Sequence, residues 1–239
     1  MKITPIVSVV IPVRNQGHLI MNAINSIRNQ TLKEWELIIV DDGSEMLEVE
    51  YIQKLLGKLQ DDRIRLYQRS HEGMVAARNF GNEKAKASII ALQDADDLSM
   101  PDRLERCVAE INKGADVVYH GLYTNMWDDK LKCISRAYVP AQEFDDKRLL
   151  REQYIPGACV FRKSCWDTKP FRQETKHAFD WMMHLDFVFS GFKYKALDIG
   201  LYEYVRHEGS ASISYERDGR RGKAIETIKK IMKMEYGKS

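Results

Sequence analysis

The sequence predicts an α/β fold in which a mixed, mostly parallel sheet is flanked by helices. Short apolar runs alternate with helical patterns through the first half of the chain. Strands separated by helices of about ten to fifteen residues are typical of βαβ units, whose strands run parallel. Acidic residues directly follow the second and the fourth predicted strand. Because ligands bind at the carboxyl ends of the strands in such sheets, these residues mark the expected binding edge.

The first half is predicted to contain four strands and three helices. The segment 7–13 is rich in β-branched residues and contains Pro12, so it fits a buried strand better than a signal peptide. Leu19, Ile20 and Ala23 begin an apolar stripe with helical spacing. The predicted strands are 7–13, 36–40, 64–67 and 88–92, and the predicted helices are 18–30, 47–59 and 73–86.

The second half of the chain has weaker patterns. Pro101 is expected to start a helix, because proline is favoured in a first turn. Residues 122–138 are predicted to form a polar hairpin or a loop. The remaining predicted elements are strands at 116–119, 155–161, 194–197 and 202–205 and a helix at 179–190. Because no linker or repeat separates the halves, we predict a single domain over residues 1–239 with two functional lobes.

Composition excludes several classes of protein. The chain has 239 residues, of which 44% are hydrophobic, and a net charge of +2, so it is neither disordered throughout nor a globally basic nucleic-acid binder. Its 4 cysteines include no CxxC pair, which fits a reducing compartment and gives no sign of structural zinc. No apolar run approaches the roughly 18 residues of a membrane-spanning helix. We therefore predict a cytoplasmic protein.

The C-terminal segment 217–239 is predicted to be a basic helix with one apolar stripe. It carries a local charge of +5, from 8 basic and 3 acidic residues. Ile225, Ile228, Ile231 and Met232 recur at helical spacing. Two interpretations stay open: the helix binds an anionic surface at the inner face of the membrane, or it packs on its own domain with a solvated lysine face.

Two acidic clusters are the first functional signal. Asp94, Asp96 and Asp97 lie within four residues, and carboxylates so close repel one another unless a cation such as Mg²⁺ or Mn²⁺ lies among them. Asp41 and Asp42 precede a Gly-Ser turn, where a carboxylate can accept a hydrogen bond from the imide N–H of uracil or thymine. Each cluster alone also fits an Asp-rich turn or a helix cap. Together they indicate a nucleotide at one cluster and its metal-bound phosphates at the other.

The sequence lacks the Gly-rich loops that bind phosphate in other nucleotide-binding proteins. Neither GxGxxG nor GxxxxGK[ST] occurs in it. This argues against a dehydrogenase and against a P-loop NTPase. The phosphates of a bound nucleotide would instead be neutralised by metal and side chains.

Five segments resemble, in order and spacing, the family 2 inverting glycosyltransferases, which have the GT-A fold. These segments are 7–15 (VSVVIPVRN), 26–31 (SIRNQT), 36–44 (ELIIVDDGS), 73–81 (GMVAARNFG) and 92–97 (LQDADD). The resemblance is close over residues 7–105 and continues beyond them as isolated landmarks. It implies a GT-A, Rossmann-like sheet with a nucleotide-sugar-binding half (1–105) and an acceptor and catalytic half (106–216), followed by the basic helix (217–239).

The resemblance also implies a nucleotide-sugar donor, most often a UDP-sugar, with Mn²⁺ or Mg²⁺ as cofactor. Asp42 matches the acceptor for the uracil imide, Asp94 matches the first acidic position of the DxD motif, and Asp96 matches the metal ligand. For Asp97 two interpretations stay open, a site residue or a cap of the next helix. The residues that the resemblance assigns to donor binding are Pro12, Val13, Asn15, Asp41, Asp42, Arg78, Asp94 and Ala95.

Two further landmarks lie in the second half. Asp180 matches the position of the general base, while Phe179 stands where the family frequently has another acid. Tyr204, His207 and Ser210 match a Tyr-x-x-His-x-x-Ser pattern whose histidine approaches the metal or the diphosphate. We therefore predict Asp180 as the catalytic residue and His207, beside Asp96, as a metal ligand.

The predicted function is metal-dependent, inverting transfer of a sugar to a hydroxyl of a glycan, glycolipid or polysaccharide acceptor. A carboxylate must take the proton of that hydroxyl, and a metal stabilises the charge on the leaving diphosphate. Two alternatives stay open. Phe179 admits a non-catalytic module that binds nucleotide-sugars or glycans, and the acidic sites admit a sugar nucleotidyltransferase, although such enzymes usually carry a Gly-rich basic loop after the first strand.

Overall fold

The apolar runs of the sequence form the strands of one sheet. A computed structural model of the chain describes residues 4–128, 130, 132–207 and 219–237. The strands of this sheet are β1 (Val7–Val13), β2 (Trp35–Asp42), β3 (Ile64–Arg69), β4 (Ile89–Leu92), β5 (Leu98–Ser99), β6 (Val117–Trp127), β7 (Cys133–Val139), β8 (Val160–Arg162) and β9 (Tyr194–Arg206).

Helices connect the strands and cover both faces of the sheet. They are α1 (Gly17–Arg28), α2 (Met46–Leu59), α3 (Met74–Lys84), α4 (Arg103–Asn112), α5 (Asp146–Leu149), α6 (Lys163–Thr168), α7 (Phe179–Phe189) and α8 (Arg220–Tyr236), with a short 3-10 helix at Gln173–Thr175. Among the described residues, no helix is long and apolar enough to cross a membrane.

The sheet is mixed and mostly parallel, as predicted. Its strand order is β3-β2-β1-β4-β8-β6-β9-β5, and β7 pairs with β6 outside this path. The strands β3, β2, β1 and β4 pair in parallel, and β6 is parallel to β9. Three strands, β5, β7 and β8, run antiparallel to their neighbours. The carboxyl ends of β1, β2 and β4 therefore meet at one edge of the sheet.

The central strands have apolar residues on both faces, because a hydrophobic core lies on each side of the sheet. Val10 and Val40 belong to one core, whereas Val9, Ile11 and Ile39 belong to the other. This two-sided burial explains why the strands appear in the sequence as nearly continuous apolar runs rather than as alternating patterns.

Three details differ from the sequence predictions. The strands expected at 194–197 and 202–205 form the single strand β9, because a bulge opposite His120 and Gly121 absorbs the intervening residues and lets the pairing with β6 continue. The helix expected from Pro101 begins at Arg103. The strand expected at 155–161 is shorter and starts later, as β8 at Val160–Arg162. The hairpin, one of the two structures expected for residues 122–138, is confirmed by the antiparallel pairing of β6 with β7.

The basic C-terminal helix lies on the body of the protein. Ala224, Ile228 and Met232 are buried in the same core as β1 and α7, and Ile225 and Ile231 are packed against it. The apolar stripe of α8 is thus buried by its own domain. Residues 217, 218, 238 and 239 of the predicted segment lie outside the described part of the chain.

Candidate active site

A pocket of about 650 Å³ lies at the carboxyl ends of β1, β2 and β4. It brings together residues from both halves of the sequence, including the two acidic motifs and the predicted base. The predicted site residues that line it are Pro12, Val13, Asn15, Asp42, Arg78, Asp94, Ala95, Asp96 and Asp180. Asp41 is not among the described residues that line this pocket.

The end of β1 is tied to the turn after β2. Asn15 has a φ of +52°, a left-handed conformation that asparagine adopts more readily than most residues. Its backbone N–H donates to Oγ of Ser44 at 2.9 Å, and its side-chain oxygen accepts from the N–H of Glu45 at 2.8 Å. The carboxylate of Asp41 accepts from Ser44 through both the backbone N–H and the hydroxyl. The Asp41 carboxylate therefore stabilises the turn after β2. This is the turn role that was predicted from the sequence as an alternative for the acidic cluster.

Asp42 is buried at the floor of the pocket with its carboxylate already bound by backbone groups. It accepts from the N–H of Glu72 at 2.9 Å and from the N–H of Gly73 at 2.9 Å, and its Oδ2 lies 2.8 Å from Nδ1 of His71. Gly43 has a φ of +73°, and a Cβ atom there would lie 2.7 Å from the backbone nitrogen of His71. This glycine lets the segment before α3 approach Asp42.

Arg78 is a buried cation on α3 that faces the pocket. Its side chain is 4% exposed and is paired with Asp94, and its guanidinium lies 4.2 Å from the centre of the Phe179 ring. Within the described part of the chain, its Nε and Nη1 groups have no hydrogen-bond partner. Burying such donors without a partner is costly, and Arg78 is one of the residues that line the pocket, so an anionic ligand that reaches this guanidinium would offset part of that cost. Phe179, in the place of a family acid, thus stacks on this cation.

The acidic loop that contains Asp94, Asp96 and Asp97 is bound to β9. The N–H of Asp94 donates to the hydroxyl of Tyr202 at 3.1 Å, and the Asp97 carboxylate accepts from the N–H of Val205 at 2.7 Å. Burial raises the pKa of the Asp97 carboxyl well above its usual range, and the charges of Asp96 and Asp94 add to this effect. Asp97 therefore binds the loop to β9, and the interpretation that it caps the next helix is wrong.

A buried arginine supports the same loop from α4. Arg103 is fully buried and donates to the backbone oxygen of Leu92 at 2.9 Å, to Oγ of Ser99 at 2.9 Å and to Nε2 of His120 at 3.0 Å. In the sequence, Arg103 is one of several charged residues in an amphipathic helix. Its partners lie on separate strands, and no local pattern links them to it. Arg103 therefore escapes prediction from local patterns.

Asp96 lines the pocket and contacts His207, which is not among the described residues that line it. Oδ2 of Asp96 lies 3.1 Å from Nε2 of His207 and 3.5 Å from Nε2 of Gln16. Among the residues that the structure describes, no group of three or more His, Cys, Asp or Glu side chains is arranged to hold a metal by itself. The carboxylate of Asp96 fits Mn²⁺ or Mg²⁺, because these ions are usually held by one or two carboxylates together with the oxygens of a bound phosphate group. The imidazole of His207 would add a nitrogen ligand beside it. Ser210, the last residue of the histidine pattern, lies outside the described residues.

Asp180 lies in the first turn of α7 on the side of the pocket formed by the second half of the chain. Its Oδ1 accepts from the N–H of Trp181 at 3.0 Å, and its Oδ2 accepts from the amide of Gln153. A Cβ atom on Gly157 would lie 3.1 Å from Cβ of Asp180, so a small residue is needed opposite this side chain. Gln153 carried no motif in the sequence, and its contact with Asp180 joins residues 27 positions apart.

The fold and the pocket define a glycosyltransferase of the GT-A class, with acidic motifs at the strand ends and a further carboxylate across the pocket. The model of the family described as "Glycosyl transferase family 2" matches residues 8–198, and the chain belongs to this family.

Curated relatives are longer than this chain. The chondroitin synthase of Pasteurella multocida is 30% identical over 213 residues, which are 87% of this chain and 21% of that protein. Glycosyltransferase GlyG of Streptococcus pneumoniae is 30% identical over 180 residues, 73% of this chain and 58% of that protein. The chain thus spans less than two thirds of each of these two relatives.

The solved structures show the same fold. The structure of S. aureus TarS 1-349 in complex with UDP-GlcNAc superposes with a TM-score of 0.66 at 19% identity, covering 87% of this chain and 60% of that one. The complex of the same TarS fragment with UDP has a TM-score of 0.61 at 20% identity. At this level of identity the likeness concerns the fold.

Proposed function

We propose that the chain catalyses the metal-dependent, inverting transfer of a sugar from a UDP-sugar to a hydroxyl of a glycan, glycolipid or polysaccharide. The observation that carries this proposal is Arg78, which lines one pocket together with Asp42, Asp96 and Asp180 and whose buried guanidinium has two N–H groups without a partner among the described residues. A diphosphate is the group that satisfies such donors bidentately. The complexes of TarS with UDP and UDP-GlcNAc, and relatives named chondroitin synthase and hyaluronan synthase, support a UDP-sugar donor and a polysaccharide acceptor.

Each residue has a separate task in the proposed reaction. The acceptor hydroxyl attacks the anomeric carbon while the bond to the diphosphate breaks on the opposite face, which inverts the configuration. Asp180 takes the proton of the hydroxyl as general base. Arg78 binds the diphosphate oxygens, and Asp42 accepts from the uracil imide. Asp96 and His207 would hold a divalent cation, which supplies neutralisation of the charge on the leaving diphosphate.

A donor screen tests this proposal. Thermal unfolding is measured with UDP-, GDP- and dTDP-sugars, each with Mn²⁺, Mg²⁺ or EDTA. A true donor at about 100 times its Kd stabilises the native state by about 2.7 kcal/mol, and for a chain of this size that raises Tm by about 5–10 °C. We expect a UDP-sugar with Mn²⁺ or Mg²⁺ to give this shift. If none of these donors raises Tm, the donor assignment is wrong.

Asp→Asn variants test the assigned roles. We expect Asp180→Asn to keep UDP binding and to lower the rate of UDP release by about 10²- to 10⁴-fold, the range for a general base. Asp96→Asn is expected to lose the metal-dependent part of the Tm shift. The exposed Asp62→Asn is the matched control and should behave as wild type. Binding of UDP without release from any donor would favour the non-catalytic binding module.

A further inference from the structure

Gln153 lies between the predicted base and the C-terminal helix. Its Nε2 donates to Oδ2 of Asp180, and its Oε1 accepts from Nη2 of Arg221 at 2.6 Å. Gln153 belongs to the segment between α5 and β8, and Arg221 is the second residue of α8. Three distant parts of the chain thus meet at one amide group, and Gln153 and Arg221 are 68 residues apart.

Arg221 determines which way this amide points. An arginine side chain has only N–H donors, so the amide oxygen of Gln153 must face it. The amide NH₂ is then left to face Asp180, where it can only donate. With the two ends of the amide exchanged, an oxygen would face the carboxylate of Asp180 and an NH₂ would face the guanidinium, and both contacts would be repulsive. The guanidinium therefore fixes the donor that holds Oδ2 of Asp180.

The helix that carries Arg221 is itself fixed to the body of the protein. At its far end, Arg172 donates to Glu235 at 2.7 Å and to Asp186 at 2.8 Å, and the hydroxyl of Tyr236 donates to Asp186 at 2.5 Å. Ile228 is fully buried in the middle of the helix. Because α8 is held at its middle and at its end, Arg221 has a defined position above Gln153.

We propose that Gln153 and Arg221 are a positioning pair for Asp180, so that α8 takes part in aligning the base with the acceptor hydroxyl. Gln153 is not among the described residues that line the pocket, whereas Arg221 lines it and also donates to Gln153. Trp181 N–H holds one carboxylate oxygen and Gln153 holds the other, which fixes the plane of the carboxylate. A carboxylate can accept about four hydrogen bonds, so Asp180 keeps acceptor capacity for the hydroxyl proton. This inference rests on the proposed function, in which Asp180 is the base.

The test compares Gln153→Ala, Arg221→Met, Arg221→Lys and the Gln153→Ala/Arg221→Met double variant. The readout is UDP release from UDP-GlcNAc, or from the UDP-sugar that the donor screen selects, with kcat and donor KM determined separately. A misplaced base lowers kcat, and we expect a loss of about 10- to 100-fold for Gln153→Ala and for Arg221→Met with donor KM unchanged. Arg221→Lys still donates to the amide oxygen and should stay within about threefold of wild type.

The double variant separates positioning from a general structural role. If Arg221 acts through Gln153, Arg221→Met causes no further loss in the Gln153→Ala background. Lys223→Met is the matched control, because Lys223 is exposed on the same helix, and it should leave kcat unchanged. Additive losses, a rise in donor KM that accounts for the effect, or an Arg221→Lys variant as slow as Arg221→Met would each overturn the proposal.

A crystal structure of Arg221→Met decides the question independently of turnover. We expect the Gln153 side chain to move away from Asp180 in this variant. If Nε2 of Gln153 remains on Oδ2 of Asp180, Arg221 does not orient it and the proposal is wrong. Failure of the proposed function has a different signature, because wild-type protein would then bind no UDP-sugar in the donor screen while the contacts of Gln153 stayed intact.

Discussion

At the scale of single residues, the pocket combines a buried cation with carboxylates from both halves of the chain. Asp94 and the ring of Phe179 partly stabilise the guanidinium of Arg78, whose Nε and Nη1 are buried without a partner among the described residues. The aromatic contact and the ion pair partly offset the free-energy cost of burying the charge. The N–H groups that lack a partner among the described residues are donors with which a bound anion would form hydrogen bonds.

Arg78→Met is expected to weaken UDP binding by about 10- to 100-fold, because hydrogen bonds to charged groups contribute about 1.5–3 kcal/mol. Arg78→Lys should lie between this variant and wild type, since an ammonium cannot present the planar fork of a guanidinium. Isothermal titration calorimetry with UDP and Mn²⁺ measures both. Arg106→Met, on the exposed face of α4, is the control. Unchanged UDP affinity in Arg78→Met would remove this residue from the donor site.

At the scale of elements, the position of α3 against the sheet decides where Arg78 points. Gly81, on the same helix, lies directly on the strands, and a Cβ atom there would be 2.4 Å from Cγ1 of Val10 and 3.3 Å from Cγ2 of Val40. The absent side chain allows the helix to approach β1 and β2 closely. Gly57, in α2, is exposed, and a Cβ atom added to it would have none of the described atoms within 4 Å.

The two glycines are expected to respond oppositely to the same substitution. Gly81→Ala should destabilise the protein by about 1–3 kcal/mol, because overpacking outweighs the gain in helix propensity. Gly57→Ala should stabilise it by about 0.5–1 kcal/mol, since only the propensity term remains. Urea unfolding monitored by circular dichroism measures both values. A stabilising Gly81→Ala would mean that α3 does not lie against β1 at this point.

The element that the sequence left most open is α8. Its lysine-rich face suggested an anionic surface as partner, yet its apolar stripe is buried in the core next to α7. The amphipathic pattern alone cannot distinguish these cases, because a membrane and a protein core both bury an apolar stripe. The packed helix α8 also places Arg221 in hydrogen-bond contact with Gln153, which in turn contacts Asp180 in the pocket.

At the scale of the whole molecule, two buried histidines make stability depend on pH. Burial lowers the pKa of His120 to about 3, and the charge of Arg103 adds to the effect. Burial also lowers the pKa of His184 to about 4, although its hydrogen bond to the backbone of Pro156 opposes the shift. Both are neutral in the native state at pH 5, whereas the unfolded chain takes up protons on these side chains below their ordinary pKa of about 6.5.

The unfolding free energy is therefore expected to be independent of these groups above about pH 7.5 and to fall as the pH drops toward 4. Each histidine should remove about 2 kcal/mol between pH 7 and pH 5, because the unfolded state binds one more proton per group there. Urea unfolding at pH 8, 7, 6 and 5 measures the slope. His120→Gln, whose amide can replace both hydrogen bonds of the ring, should show a shallower slope in this range and a parallel profile above pH 7. An unchanged slope would mean that His120 titrates alike in both states.

Local sequence patterns predict much of the fold and part of the site. Apolar runs bounded by turn residues predict β1 to β4 and the helices between them, because such patterns depend only on near neighbours along the chain. The acidic motifs at 41–42 and 94–97 could be placed at one sheet edge for the same reason, since parallel strands bring their carboxyl ends together. The resemblance added Asp180 and His207, which no periodicity indicates.

The tertiary structure decided what each of these groups touches. Asp41 and Asp42 are neighbours in the sequence, yet one carboxylate holds a turn and the other lies in the pocket, because successive side chains on a strand point to opposite sides. Asp97 accepts a hydrogen bond from β9 and does not cap α4. Gln153 and Arg221, which are 68 residues apart, are hydrogen-bonded to each other. Such contacts depend on how the strands are ordered and how the chain returns to them. The sequence by itself determined which elements form and which segments contain clusters of charged residues. The packing of distant elements determined which of those charged side chains line the pocket.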